Sequence, residues 1–262
     1  MKNFQNGIPD DLAELVCNAV KKAADAILEI YYSDNFEAEL KSDRSPLTIA
    51  DKRSHDILCQ MLATTGFPVL SEEGANIPFD ERKSWPFYWL VDPLDGTKEF
   101  LKKNGEFTVN VALMKNAVPI FGVISVPVEG RIYSGPVNGI VKCQEKNGNS
   151  RILLPAIPFD LQKTGIRVVA SRSHLDERTS RMIADLKEPV LVSKGSSLKF
   201  LLLAEGLADL YPRFAPTMEW DTAAADAMLR TLGIGINQAE SGLPLQYNKQ
   251  DLRNPFFICK PV

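Results

Sequence analysis

The sequence predicts an α/β protein whose first half is α+β, and three patterns carry that prediction. Apolar residues recur at helical spacing near the start, an alternating run begins at Phe107, and strands alternate with helices in the second half. Leu12, Leu15, Val16, Ala19, Val20, Ala23, Ile27 and Ile30 share one face, so residues 10–32 form an amphipathic helix started by Asp10 or Asp11. A second helix runs from Leu47 to Thr64, with Thr48 near its start and Gly66 past its end. Phe67 to Ser71 is a short strand that delivers Glu72 and Glu73, and Tyr88 to Asp92 is another.

From Phe107 to Ser134 the pattern is an antiparallel meander, turning at Lys115-Asn116-Ala117 and at Glu129-Gly130. Residues 142–161 are rich in Gly, Asn, Pro and charge, and mark a boundary between an N-terminal half, 1–150, and a C-terminal half, 151–262. Beyond it the expected elements are a strand over 166–170, a helix over 176–187 with an Asp start, and a helix over 196–205 after Gly195. A strand over 207–214 and a helix over 222–232, closed by Gly233, complete the pattern.

A chain of 262 residues buries a sizeable core, as one large domain or two packed closely together. The net charge of −3 leaves no electrostatic footprint for a nucleic acid polymer. Cys17, Cys59, Cys143 and Cys259 are scattered without a CxxC pair, which fits reduced thiols in the cytoplasm. The first ten residues lack the apolar centre of a signal peptide, and no apolar stretch is long enough to span a bilayer. The expectation is a soluble cytoplasmic protein without an integral membrane segment. Monomer or homodimer, and peripheral attachment to the inner face of the membrane, stay open.

The most informative stretch is Asp92-Pro93-Leu94-Asp95-Gly96-Thr97, where an apolar strand ends in two aspartates with Pro93 and Gly96 fixing the turn between. Glu72-Glu73 lies upstream and Trp220-Asp221 far downstream. Taken singly, these read as a solvated loop, a turn with a helix cap, and an N-cap. Brought together without a cation, each like-charge pair costs on the order of 4 kcal/mol at about 4 Å and an effective dielectric near 20. Several such pairs would rival a total stability of roughly 5–15 kcal/mol. Either the carboxylates are apart, or divalent ions sit among them.

An all-oxygen set suits magnesium or manganese, and neither His55 nor His174 stands in a zinc-ligand spacing. The Leu94 carbonyl can face the same ion site as Asp92 and Asp95, and Gly96-Thr97 can open a helix whose amides meet a phosphate oxygen. Two ions there would clamp phosphoryl oxygens and activate a water, which Thr97 or Asp51 would orient.

These residues resemble the inositol monophosphatase superfamily of lithium-sensitive, magnesium-dependent phosphatases. The likeness rests on Asp43-Arg-Ser-Pro-Leu-Thr48-Ile-Ala-Asp51, Ser71-Glu72-Glu73-Gly, Asp92-Pro-Leu-Asp95-Gly-Thr97 and Trp220-Asp221-Thr-Ala-Ala, in that order. It implies a layered αβαβα sandwich with the active site between the halves. It further implies one magnesium on Glu72, Asp92 and the Leu94 carbonyl, and a second on Asp92, Asp95 and Asp221. Asp51 and Thr97 would activate the water, with Asp51 touching a third, weaker ion, and Glu73 would orient the ligands.

Within the superfamily, Gly96-Thr-Lys-Glu-Phe100, Ala170-Ser-Arg-Ser-His174, Gly195-Ser-Ser-Leu-Lys199-Phe and Tyr211-Pro-Arg213-Phe are similar to the CysQ-type 3'(2'),5'-bisphosphate nucleotidase subgroup. The implied substrate is adenosine 3',5'-bisphosphate, a by-product of sulfate assimilation, cleaved to AMP and phosphate. Lys199 and Arg213 would hold the phosphate that is kept. Ser196 would add a hydroxyl and helix-end amides, and His174 would contact the nucleotide. The substrate would also touch Glu72, Leu94, Asp95, Gly96, Thr97 and Asp221. The alternatives are an inositol monophosphatase or broader sugar-phosphate phosphatase, and a non-catalytic nucleotide or RNA binder.

Overall fold

The computed structural model describes residues 7–33, 38–40, 46–74, 76–136, 138–170 and 176–262. The first half contains α1 (Asp10–Tyr31), β1 (Ala38–Leu40), β2 (Pro46–Thr48), α2 (Ile49–Ala63), β3 (Val69–Ser71), a 3-10 turn (Glu72–Gly74), α3 (Phe79–Arg82), β4 (Phe87–Asp95) and α4 (Thr97–Leu101). It continues with β5 (Thr108–Lys115), β6 (Val118–Val126), β7 (Arg131–Pro136), β8 (Lys142–Gln144) and β9 (Ser150–Ile152). Then follow β10 (Arg167–Val169), α5 (Glu177–Ala184), β11 (Val190–Val192), α6 (Leu198–Ala204), β12 (Tyr211–Arg213), α7 (Glu219–Thr231), β13 (Ile234–Gln238) and β14 (Phe257–Pro261).

Strands β3 to β9 form one seven-stranded sheet in chain order, parallel only between β3 and β4. Its two faces follow the period of two along each strand. Trp89, Val91, Val109, Val111 and Val123 pack with Val16, Val20, Ile27 of α1 and Leu58, Leu62 of α2. Leu90, Ala112, Met114 and Ile124 point the other way, onto Leu198 and Leu201 of α6 and Ala223, Ala224 and Met228 of α7. Beyond α7 lies the sheet β12-β14-β13, and on its far side Met182 and Ile183 of α5, with Leu186 just after it, pack against Val168 of β10, Leu210 and Ile258 of β14. The order of layers is α-β-α-β-α, as the resemblance implied.

The small side chains of α7 let it lie almost on the sheet. A Cβ added to Gly122 of β6 would sit 2.0 Å from the Ala224 carbonyl oxygen. Backbone cannot yield there as a flexible side chain would. Gly122→Ala is therefore expected to destabilise the protein by about 3 kcal/mol, the upper end for overpacking. Urea unfolding would show a lower midpoint with an unchanged slope; an unchanged midpoint would contradict the close approach.

Several elements differ from the sequence expectation. The N-cap position of α1 is Pro9, which makes no side-chain cap, and Asp10 and Asp11 sit in the first turn, where they complement the helix dipole. Strand β4 runs past Asp92 to Asp95, with a break in register between the two. Residues 142–144 and 150–152, within the stretch expected to be irregular, pair as β8 and β9 on the edge of the large sheet. Helix α6 begins at Leu198, because Ser196 is left-handed with φ +50°. Asp221 lies inside the first turn of α7 and is not its N-cap. Strands β11, β13 and β14 were not foreseen.

Candidate active site

Asp51 is placed by local sequence. Thr48 caps α2, accepting hydrogen bonds from the amides of Ala50 (3.1 Å) and Asp51 (3.3 Å). The buried Asp51 carboxylate returns the contact, its Oδ2 accepting from the Thr48 amide (2.8 Å) and hydroxyl (2.5 Å). Its Oδ1 accepts the Thr97 hydroxyl at 3.1 Å, across to the start of α4. The Leu94 carbonyl, at 3.5 Å from the same hydroxyl, is the weaker acceptor.

The irregular end of β4 is closed by its own side chain. Asp92 Oδ1 accepts the Leu94 amide at 3.1 Å, and Ser54 Oγ donates to the Pro93 carbonyl at 2.6 Å. Gly96 then turns the chain with φ +95°, and a Cβ there would meet the Glu106 carbonyl oxygen and Ser196 Cβ at 3.1 Å each. The missing side chain is what lets the 195–197 segment approach. Asp95 is gripped from that segment: Ser197 Oγ donates to Asp95 Oδ2 at 2.7 Å, and Ser196 Oγ lies 2.9 Å from the Asp95 carbonyl. Asp221 Oδ2 accepts the Met218 amide at 2.9 Å, which fixes it in the first turn of α7.

Each of Asp92, Asp95 and Asp221 thus has one oxygen bonded to the scaffold. The other accepts no hydrogen bond among the described residues. Burial pushes the Asp92 carboxyl well above the usual range, and the charges of Glu72, Asp95, Asp221 and Asp51 push it further. Burial, Asp95 and Glu72 raise Asp221 against the Met218 amide and Arg213, which lower it. The carboxylates far apart in sequence therefore share one electrostatic neighbourhood. Among the described residues no three His, Cys, Asp or Glu side chains stand as a closed metal cage. The donor chemistry nonetheless fits a hard divalent cation: oxygens only, negative charge in excess, and one unspent oxygen on each of three aspartates.

Two cations share a cleft with Asp95 and Asp221. Lys199 of α6 donates to the Ser196 carbonyl at 3.3 Å; burial lowers its amine and the Asp95 charge partly restores it. Arg213 of β12 donates through Nη2 to the Pro216 carbonyl at 3.2 Å, while its buried Nε has no hydrogen-bond partner. Asp95, Ser196, Lys199, Arg213, Phe214 and Asp221 help wall one cleft of about 580 Å³. Asp51, Glu72, Asp92 and Thr97 are not among its wall residues.

Glu72 and Glu73 sit half-buried in the 3-10 turn after β3. Ser196 has its hydroxyl engaged by Asp95 and by Thr108 (2.8 Å), not turned to the cleft as a spare donor. His174 lies outside the described residues, as do 41–45 of the first motif. Sequence reasoning missed Ser54, Asn110 and Glu219, and gave no role to Glu106 and Thr108 of the similar Asn104-Gly-Glu-Phe-Thr stretch or to Ser197. Glu106 Oε2 accepts the Gly195 amide at 2.9 Å. The fully buried Glu219 accepts from the Asn248 amide (2.6 Å) and from Lys249 Nζ (2.5 Å), anchoring the start of α7. Thr108 and Asn110 left a signal, being polar at alternate positions of a strand otherwise apolar.

Comparison with known proteins gives the family and the fold. The sequence model of the inositol monophosphatase family matches residues 9–257. The chain is 41% identical over 250 residues to the 3'(2'),5'-bisphosphate nucleotidase CysQ of Escherichia coli (strain K12), covering 94% of this chain and 98% of that protein. The crystal structure of CysQ from Bacteroides thetaiotaomicron, a bacterial member of the inositol monophosphatase family, superimposes with a TM-score of 0.83 at 44% identity, covering 95% of this chain and 96% of that one. An IMPase/NADP phosphatase complexed with Mg2+ and phosphate shares the fold at TM-score 0.77 and 18% identity, over 95% of this chain and 90% of the other.

Proposed function

The chain belongs to the inositol monophosphatase family, and we propose that it is a magnesium-dependent 3'(2'),5'-bisphosphate nucleotidase. It would hydrolyse adenosine 3',5'-bisphosphate, or its 2',5' isomer, to AMP and phosphate. The observation that carries this reading is one cleft lined both by the aspartates Asp95 and Asp221 and by the cations Lys199 and Arg213. A bisphosphate needs both: a cation site at the phosphate to be cleaved, and fixed positive charge at the phosphate to be kept.

In this reading Glu72, Asp92 and the Leu94 carbonyl hold one magnesium, and Asp92, Asp95 and Asp221 the second, with manganese as a substitute. Bound there, the ions would neutralise phosphoryl oxygens and make water nucleophilic near neutral pH. The chain's own part is the relay from Thr97 to Asp51. Thr97 gives its hydroxyl proton to Asp51 Oδ1, so its oxygen lone pairs are turned toward an attacking water. As that water's oxygen bonds to phosphorus, its proton passes to Thr97 and the Thr97 proton to Asp51. The ribose oxygen departs with the bonding pair and takes a proton from solvent. Glu73 would orient the ligands from the 3-10 turn, and His174 would touch the nucleotide.

Lys199 and Arg213 would grip the 5'-phosphate, the arginine through its terminal guanidinium nitrogens. Lys199→Ala and Arg213→Ala are each expected to raise KM for adenosine 3',5'-bisphosphate by about 10–100-fold, as loss of a charged hydrogen bond of roughly 1.5–3 kcal/mol requires. KM for inositol 1-phosphate, which has no second phosphate, should hardly move. Steady-state kinetics on both substrates tests this. A higher kcat/KM on inositol 1-phosphate than on the nucleotide would make the chain an inositol or sugar-phosphate phosphatase instead.

The proposed setting is sulfate assimilation in the cytoplasm, which generates this substrate. No helix among the described residues is long and apolar enough to cross a membrane.

A further inference from the structure

We propose that Ser197 and Asn110 are positioning residues that set which oxygen of Asp95 is presented to a divalent cation. The inference rests on the ion site proposed above and goes beyond it to residues outside the ligand set.

Ser197, Asn110 and Thr108 are almost wholly buried, at 1%, 1% and 0% exposure. Three buried polar side chains on the core-facing side of β5 and at the head of α6 demand an account of their hydrogen bonds. A serine has one proton to give, and two acceptors surround Ser197: Asp95 Oδ2 at 2.7 Å and the Asp221 carbonyl at 3.2 Å. The third neighbour decides the direction. Asn110 Nδ2, a donor only, approaches Ser197 Oγ at 3.0 Å and occupies its acceptor side. Asn110 is itself held in that orientation, since its Oδ1 receives the Thr108 hydroxyl at 3.1 Å.

The order of donation is thus Thr108 to Asn110, Asn110 to Ser197, and Ser197 to Asp95 Oδ2. Asp95 Oδ2 is spent on the scaffold and Oδ1 is the oxygen left for a cation. Ser197 Oγ also lies 3.2 Å from the Asp221 carbonyl, so it stands between the two acids proposed to share an ion. The neighbouring Ser196, held left-handed at φ +50°, has one proton and two acceptors, the Asp95 carbonyl at 2.9 Å and Thr108 Oγ1 at 2.8 Å. With the Thr108 proton given to Asn110, Ser196 donates to Thr108 and completes the same order. A hydroxyl serving only to cap α6 would point back along its own helix; this one makes no side-chain cap bond there.

The test is magnesium binding to the ion-free full chain by isothermal titration calorimetry, with no substrate present. Ser197→Ala keeps the Cβ and deletes the hydroxyl, and should weaken magnesium binding about tenfold, the range for loss of a group that orients a ligand. Asn110→Leu removes the donor at similar volume and should weaken it in the same direction by a smaller factor. The ion-free melting temperature, read by circular dichroism, shows that each variant is folded. Should Ser197→Ala fail to fold, Asn110→Leu carries the test alone. Asp95→Asn is the reference. If it loses magnesium affinity while the folded Ser197 and Asn110 variants stay within about twofold of the parent, the positioning role is overturned. If Asp95→Asn also binds magnesium as the parent does, the ion site itself is wrong and this inference falls with it.

Discussion

Asp95→Asn is expected to lower kcat on adenosine 3',5'-bisphosphate by at least about a hundred-fold, beyond what loss of a supporting group costs, while leaving the protein folded. The substitution removes charge but keeps an oxygen that can still accept the Ser197 hydroxyl, so the local hydrogen bonds survive. Stability should move in the opposite direction from activity. The Asp95 charge helps push up the carboxyls of both Asp92 and Asp221, and its removal relieves that repulsion in the ion-free chain. Phosphate release and the melting temperature in chelator, compared with the parent, check both halves. Activity within about tenfold of the parent would contradict a ligand role for Asp95.

Withdrawal of magnesium should abolish turnover and also expose a pH dependence of stability with a definite sign. Burial and neighbouring charge hold the folded-state pKa of Asp92 and Asp221 above the unfolded value. The unfolded chain therefore ionises these groups first. Their contribution to stability is fully present below the unfolded value of about 3.9 and is lost as pH rises toward the folded values. Asp209, which the Arg167 guanidinium holds below the usual carboxylate range, works the other way, losing stability as pH falls. That opposing slope cancels when the same protein is compared with and without magnesium.

The rise in melting temperature on adding magnesium should accordingly be larger at pH 8 than at pH 5. A cation at about one hundred times its Kd adds roughly 2.7 kcal/mol. A magnesium effect that is the same at both pH values would mean the cation does not relieve these two acids.

The packing explains why the cleft is where it is. Both faces of the large sheet are covered, and β4 ends and β5 begins where the sheet meets α6 and α7. Asp92 and Asp95 come from the end of β4, Asp221 from the first turn of α7, and Asp51 from the first turn of α2. Helix starts suit buried acids because unpaired amides wait there. Asp51 and Asp221 both use one oxygen in that way. Backbone amides thus hold Asp51, Asp92 and Asp221, while the Ser197 hydroxyl holds Asp95.

Local pattern carried much of this. The apolar period of α1, the capping of α2 by Thr48 and the meander over β5 to β7 were legible because each depends on residues only a few positions apart. The acidic motifs and their family likeness were legible for the same reason, as was the paired cation of Lys199 and Arg213. What escaped was decided at long range. Ser197 lies 102 residues from Asp95 and 87 from Asn110, and no local signal tells a buried hydrogen-bonded serine from a loop serine. The polar residues of β5 read as an alternating, half-exposed strand, yet α6 and α7 bury that face and turn Thr108 and Asn110 into scaffold. The start of α6 was placed two residues early because the left-handed turn at Ser196 is imposed by its contacts with Asp95 and Thr108. By itself, then, the sequence determined the main helices, the central meander and the family. Only the folded chain decided which hydroxyl and amide orient which carboxylate, because hydrogen-bond direction is set by partners that the chain brings together from distant positions.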